Sequence, residues 1–144
     1  MNDLELILNS LVRIIYEDKK SNEEINYLEK RVDNLAYATK IIYGVLENKV
    51  YLDYMIDKLS KIRLKKIHKN VLTILEIGVY NIYFLETKDY ATVDKLVELT
   101  KRKNKRSSGF VNAILRNFIR EEKEIAKIKI SDDIKSLSVR YSMP

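Results

Sequence analysis

The sequence predicts an all-α protein folded as a single compact bundle of about seven helices. Only three glycines and one proline occur in 144 residues, and the proline is the last residue, so few positions force a helix to end. Apolar residues recur at three- and four-residue steps along most of the chain, which is the spacing of one helix face. With 46% apolar and 33% charged residues, the composition is typical of a globular domain with one hydrophobic core.

Residues 1–59 are predicted to form three helical segments. The first has an apolar stripe formed by Leu4, Leu8, Leu11, Ile14 and Ile15. Ser21 followed by Glu24 predicts a capping box, in which each side chain accepts a hydrogen bond from the other residue's backbone N–H. A second helical region runs from there to about Asn48, with a break near Asp33. A shorter helix follows, carrying Leu52, Met55, Ile56 and Leu59.

The remaining helices include the one expected at the centre. The segment from about Lys65 to Glu86 is apolar on nearly all sides, which favours a position inside the bundle. Gly78 in its interior costs about 1 kcal/mol relative to alanine, so we expect a close helix crossing there. Asp89 is the expected N-cap of the next helix. The last strong helix begins at Ser107 to Gly109 and carries Phe110, Ile114 and Phe118.

Several functions are excluded by composition. Without cysteine there is no disulfide, no thiolate metal site and no cysteine nucleophile in this chain, and with one histidine a zinc site is not expected. The longest apolar run, residues 71–85, is short for a membrane span and contains Glu76. The N-terminal sequence MNDLELILNS starts acidic and has no signal-peptide pattern, so we expect a cytoplasmic protein that does not enter a membrane.

The positive charge is unevenly distributed and suggests an anionic partner. Residues 1–57 carry seven Lys/Arg and eleven Asp/Glu, a net charge of −4, whereas residues 58–144 carry twenty and ten, a net charge of +10. The stretch KRKNKRSS (101–108) has five cations among its first six residues. Cations before a helix N-terminus oppose the helix dipole by a few tenths of a kcal/mol, so contact with phosphate is the more economical reason for Lys105 and Arg106.

Two clusters of cations are therefore the candidate phosphate-binding residues, expected to share one surface. The first comprises the loop residues Lys101, Arg102, Lys103, Lys105 and Arg106, together with Arg116 and Arg120 on the following helix. The second lies around the start of the central helix, where the predicted contacts are Lys65, Lys66 and Lys69, with Lys58, Lys61 and Arg63 nearby. The alternative is that both clusters are only solvated loop and helix surface.

Other polar and aromatic residues have simpler explanations. Tyr80 and Tyr83 are expected in or near the core, whereas base stacking is left open for Tyr51 and Tyr54. The carboxylate pairs Glu23–Glu24 and Asp132–Asp133 are expected to cap helices and not to act in acid–base chemistry. His68 is expected to be a partly exposed helix residue with no special role.

Four blocks of sequence, in order, resemble the NusB family of helical RNA-binding domains. They are YGVLENKVYLDYMIDK (43–58), ILEIGVYNIYFLE (74–86), TVDKLVELTK (92–101) and GFVNAILRNF (109–118). The resemblance covers roughly residues 35–121 and includes Gly44, Asp53, Gly78, Tyr80 and the Phe110–Asn112 triplet. Three features depart from the family pattern: Glu76 stands where arginine is usual, Asp94 stands where asparagine is usual, and the proline common before the block that contains Asp94 is missing, with Tyr90 nearby.

The resemblance implies a non-catalytic domain that binds RNA. It favours the N-terminal domain of RsmB-type 16S rRNA cytosine-5 methyltransferases, because residues 1–20 contain a single arginine and RYSMP (140–144) resembles the junction to such a catalytic domain. On that interpretation residues 1–126 form the NusB-like domain and residues 127–144 are a tail leading to the methyltransferase. S-adenosylmethionine would bind only in that absent domain, 16S rRNA would be the RNA partner, and a homodimer is possible.

Two alternatives stay open at this point. One is a free-standing NusB-type transcription antitermination factor. The other is a protein–protein adaptor whose basic surface meets an acidic partner.

Overall fold

The computed structural model describes residues 1–87 and 90–129, with side chains described through Glu121. In these residues the chain forms six α-helices and no β-strand, which confirms the all-α prediction. The helices are α1 (Asp3–Tyr16), α2 (Ser21–Glu29), α3 (Leu35–Leu59), α4 (Lys69–Val79), α5 (Tyr90–Lys103) and α6 (Ser108–Lys129). None of these helices combines the length and apolarity that crossing a bilayer requires.

Helix α4 lies at the centre of the bundle, as its apolar sequence predicts. It packs against α1, α3, α5 and α6, and every residue from Val71 to Tyr80 is buried. The core around it is made mostly of leucine and isoleucine side chains, and Phe118 of α6 is its largest fully buried member. The order of the chain thus places the most apolar segment where four amphipathic helices can cover it.

Two glycines allow close contacts with this central segment. A Cβ on Gly78 would lie 2.7 Å from Cδ2 of Leu115 and 3.2 Å from Cδ1 of Leu96, so the predicted close crossing is confirmed. A Cβ on Gly44 of α3 would overlap the ring of Tyr80. At both positions the absence of a Cβ makes room for a neighbouring side chain, and this close packing outweighs the low helix propensity of glycine.

The prediction of a separate short helix after Asn48 is wrong, because α3 continues without a break to Leu59. Nothing between Asn48 and Leu52 forces a helix to end, and two contacts support this turn. The amide of Asn48 donates to the Gly44 carbonyl at 2.8 Å, and Lys49 pairs with Asp53 one turn further on. The expected break near Asp33 is confirmed, since α2 ends at Glu29 and α3 begins at Leu35.

The predicted capping box is also wrong. Helix α2 begins at Ser21 with no side-chain cap, and the Glu24 carboxylate turns towards α1 instead. There Oε1 of Glu24 accepts hydrogen bonds from Ser10 Oγ at 2.8 Å and from Arg13 Nη2 at 2.8 Å. A cation and a hydroxyl on the neighbouring helix therefore compete successfully with a local backbone N–H.

The central helix is shorter than predicted at both ends. A 3-10 turn spans Leu64–Lys66, and His68 is the N-cap of α4, with Nδ1 accepting from the Asn70 N–H at 3.1 Å. His68 therefore has a structural role that the sequence analysis missed. At the other end a π-helical turn follows at Tyr80–Phe84, and Glu86 at φ 56° adopts the left-handed conformation that stops the helix.

Three predictions fall outside the described residues: the Asp89 cap, the Asp132–Asp133 pair and the RYSMP junction. The domain boundary expected at residue 126 lies within the last turn of α6 and stays a prediction.

Replacing Gly44 by alanine should destabilise the fold through overlap with Tyr80. We expect Gly44→Ala to lower the free energy of unfolding by about 1–3 kcal/mol relative to Gly109→Ala, measured by urea denaturation. Gly109 is the matched control because it lies in a helix and a Cβ there meets nothing within 4 Å. Equal stabilities of the two variants would contradict the close approach.

The Glu24 cluster should contribute stability that acid removes. Burial raises the pKa of Glu24, but the hydrogen bonds from Arg13 and Ser10 more than offset this, so the pKa lies below its ordinary value of 4.5. Its contribution is therefore complete above pH 4.5 and is lost as the pH falls through the lowered pKa. Arg13→Ala should lower the free energy of unfolding at neutral pH by about 1–3 kcal/mol.

Glu24→Gln should remove that acid-dependent part, whereas Glu23→Gln on the exposed face of the same helix should not. Urea denaturation of the three proteins between neutral and acidic pH measures the difference. A Glu24→Gln protein with the wild-type pH profile would show that the cluster does not contribute in this way.

Candidate nucleic-acid interface

The basic segment 101–106 is only partly a loop. Lys101, Arg102 and Lys103 form the last turn of α5, and Lys105 and Arg106 lie in a 3-10 turn, Lys105–Ser107, that leads into α6. Cations in the last turn of a helix are favoured by the helix dipole. The expectation that all five cations lie in a loop is therefore wrong, and the first three have a local structural reason to be there.

These first three cations also pair with acidic residues. Nζ of Lys101 lies 3.3 Å from Glu98 in the same helix, whereas Arg102 and Lys103 each lie 3.2 Å from the carboxylate of Glu5 in α1. The side chains of Lys101 and Arg102 are about half exposed. Exposed pairs of this kind contribute about 0–1 kcal/mol, so a phosphate group can displace them at little cost.

Lys105 and Arg106 differ from their neighbours because neither forms an ion pair within the described residues. Both are exposed. The turn that carries them is held by its own hydrogen bonds, in which the Ser107 N–H donates to the Asn104 carbonyl and Ser108 Oγ donates to the Lys105 carbonyl, both at 3.0 Å. Two uncompensated cations are thus presented on a defined backbone.

The two arginines of α6 are more strongly engaged with the protein. Arg116 donates to Asn112 at 2.7 Å and to Asp94 of α5 at 2.8 Å, and its guanidinium lies 4.5 Å from the ring centre of Tyr90. These contacts tie α6 to α5 and give Asp94 a structural role. Arg120 donates to Asn117 on its own helix.

The second cluster stands at the positive end of α4. Lys65 and Lys66 belong to the 3-10 turn that precedes the helix, and Lys69 is its first residue. All three are exposed, and none has an ion-pair partner in the part of the chain that the structure describes. Because the helix N-terminus adds a partial positive charge, these lysines raise the local potential further.

Helix α1 separates the two clusters. Glu5, near its start, pairs with the end of α5, whereas Tyr16, its last residue, lies beside Thr73 in the first half of α4. Eleven residue steps separate these two points, which corresponds to about 16 Å of helix rise. The clusters are therefore two groups of cations along the bundle, and one polyanion could contact both only by running along this length.

The tyrosines expected in the core are found there. Tyr80 is buried, and the rings of Tyr51, Tyr83 and Phe84 pack edge to face, with centroids 5.0–6.1 Å apart. The hydroxyls of Tyr51 and Tyr83 lie 3.1 Å apart, and burial raises the pKa of Tyr51. Base stacking is excluded for Tyr51, whereas Tyr54 is half-buried with Lys58 Nζ 4.8 Å from its ring centre.

One polar cluster was missed by the sequence analysis. Glu76 of α4 is fully buried and pairs with Lys49 of α3, which also pairs with Asp53. The only sequence signal is the i, i+4 spacing of Lys49 and Asp53 beside an apolar run interrupted by one acid. Among the described residues no three His, Asp or Glu side chains converge to hold a metal ion.

Comparisons with known proteins agree with this architecture. Residues 1–120 match the sequence profile of the NusB family. "Probable ribosomal RNA small subunit methyltransferase B" of Bacillus subtilis is 29% identical over 97% of this chain, but the chain spans only 32% of that protein's length. The transcription antitermination protein NusB of Clostridium novyi is 35% identical over 74% of this chain and 80% of its own length. The NusB protein of Bacillus licheniformis is 30% identical over 78% of this chain and 90% of its own length.

Proposed function

The chain belongs to the NusB family, and on that premise we propose that it is an RNA-binding domain with no catalytic role of its own. The absence of cysteine excludes the thiolate that a cytosine-5 methyltransferase adds to the ring, and glycines only at positions 44, 78 and 109 leave no glycine-rich turn for S-adenosylmethionine. The domain therefore contributes a charged binding surface.

The observation that carries the proposal is the pair Lys105 and Arg106. Both are exposed, both lack an acidic partner among the described residues, and both sit on a turn fixed by hydrogen bonds. Around them Lys101 and Arg102 can exchange their weak carboxylate contacts for phosphate. Such a surface binds the RNA backbone and positions it without reading its sequence.

Lys65, Lys66 and Lys69 extend the proposed contact surface to a second site. Their position at the start of α4 favours phosphate on electrostatic grounds. Arg116 and Arg120 are secondary candidates, because each must keep or exchange contacts that it already makes within the protein.

The leading candidate for the process in which this domain binds RNA is transcription antitermination. The chain covers 80% of the Clostridium novyi NusB protein and 90% of the Bacillus licheniformis one, so the matched region is most of each relative. This reverses the order favoured by the sequence analysis, in which the methyltransferase came first.

A second setting, as the RNA-binding part of a 16S rRNA methyltransferase, is favoured by a different observation. The alignment with the Bacillus subtilis relative runs over 97% of this chain, whereas the family match ends at residue 120. The coding sequence after Pro144 separates the two settings. A glycine-rich cofactor turn and a cysteine-bearing loop there would favour the methyltransferase, and a stop codon would favour the antitermination factor.

RNA binding should weaken with salt, and the weakening should depend on Lys105 and Arg106. If each contacts one phosphate, the Lys105→Ala/Arg106→Ala variant should show a log K against log salt slope shallower by roughly 1.4 for single-stranded RNA. Fluorescence anisotropy with a labelled single-stranded 16S rRNA fragment over a salt series measures this slope.

The matched control removes two lysines from the acidic half of the chain. Lys30→Ala/Lys40→Ala changes the net charge by the same amount, and both residues are exposed, so its slope should stay near that of the wild type. A third variant, Lys65→Ala/Lys66→Ala/Lys69→Ala, tests the second cluster separately. Salt-insensitive binding, or equal slopes for all variants, would overturn the proposed contacts and favour an adaptor that binds an acidic protein.

A further inference from the structure

Three charged side chains meet between α3 and α4. Nζ of Lys49 lies 2.8 Å from Oδ2 of Asp53 and 3.0 Å from Oε2 of Glu76. Glu76 has no exposed surface, and the side chain of Asp53 is 23% exposed. One ammonium group therefore faces two carboxyl groups in a largely buried site.

Each of these two carboxyl groups keeps one oxygen without a partner. Oδ1 of Asp53 and Oε1 of Glu76 are both buried, and neither receives a hydrogen bond. A buried acceptor left in this condition is unfavourable and is rare in folded proteins. Both carboxyl groups contact the same Lys49 ammonium group, which holds them close together, so a proton shared between them would supply the donor that both lack.

We propose that Asp53 and Glu76 share one proton at neutral pH and that, with Lys49, they form a pH-sensitive link between α3 and α4. With that proton the cluster contains one positive and one negative charge. Without it two negative charges face one positive charge inside the protein, where desolvation is costly. Two carboxyl groups that share a site in this way do not both ionise readily.

The electrostatics of the individual groups agree with this arrangement. Burial raises the pKa of Glu76 well above its ordinary value, the neighbouring Asp53 raises it further, and Lys49 opposes the increase. Burial lowers the pKa of Lys49, but the two acids more than compensate, so the net shift is upward and the amine stays charged.

Helix α1 places a further titratable group beside the cluster. Tyr16 of α1 lies near the cluster, and its pKa is raised by burial and then by the charge of Glu76. Thr73, one turn before Glu76, donates its hydroxyl to the Lys69 carbonyl. Near Gly78, the side chains that α5 and α6 pack against this helix are the apolar Leu96 and Leu115.

The expected consequence is a loss of stability as the pH rises. A carboxyl group whose pKa is raised in the folded state holds its proton over a pH range in which the unfolded chain has already lost it. In that range, from the ordinary pKa of 4.5 up to the raised value, stability falls as the pH increases. The effect is opposite in direction to that of Glu24.

The test compares Glu76→Gln with the wild-type chain by urea denaturation from about pH 5 to about pH 9. The glutamine amide can donate to Asp53 Oδ1 while its oxygen accepts from Lys49, so it mimics the protonated acid permanently. Where one proton is linked, the wild-type unfolding constant should rise roughly tenfold per pH unit relative to Glu76→Gln. Glu98→Gln, an exposed substitution in α5 with the same charge change, should keep the wild-type profile.

Infrared spectroscopy gives an independent readout on the native protein. At neutral pH the wild type and Glu98→Gln should show the C=O stretching band of a protonated carboxyl group, and the band should be absent from Glu76→Gln and Asp53→Asn. If Glu76→Gln fails to fold, the bands of the wild type and Asp53→Asn still decide. A wild-type protein without the band, or a Glu76→Gln variant with the wild-type pH profile, would overturn the proposal.

Discussion

From Val71 to its end helix α4 is buried on every side, and the other helices are arranged so that they can reach it. Four of them pack against it, which requires an apolar face on each and space at the points of closest approach. Gly78 supplies that space opposite Leu115, and Gly44 supplies it for the ring of Tyr80. Because interiors are close-packed, the positions of α3, α5 and α6 depend on these contacts. The turns that carry the basic residues are placed by the same helices.

The polar groups inside the bundle are arranged under the same constraint. A charge that enters the interior has to find an opposite charge or a hydrogen bond on a neighbouring helix. Glu24 accepts hydrogen bonds from Arg13 and Ser10, which favour its ionised form. Glu76 is completely buried beside a second acid, which favours its protonated form although Lys49 opposes this. The two glutamates are therefore expected to respond to pH in opposite directions: complete burial and a neighbouring acid raise the pKa of Glu76, whereas hydrogen bonds from Arg13 and Ser10 lower that of Glu24.

Charged groups on the surface are less constrained than buried ones, because exposed ion pairs contribute little stability in water. The cations at the end of α5 are paired, yet those pairs are weak enough to be exchanged. This combination suits a domain that binds a polyanion: it is stable without its partner and loses little when the partner arrives. Arg116 is the exception, because Asn112, Asp94 and Tyr90 hold it together.

The sequence by itself determined the helical class, the central position of the 71–85 segment, the glycine crossing and the family. The first three depend on local periodicity and composition, which need no knowledge of neighbours, whereas the family rests on the resemblance of four sequence blocks. Only the tertiary structure decided which side chains meet. It turned Glu24 from its own helix N-terminus to Arg13, made His68 a cap and paired Arg102 with Glu5. It also brought Glu76 to Lys49, twenty-seven residues away along the chain. Such contacts join residues far apart in sequence, and the energy of each depends on burial that only the assembled bundle creates.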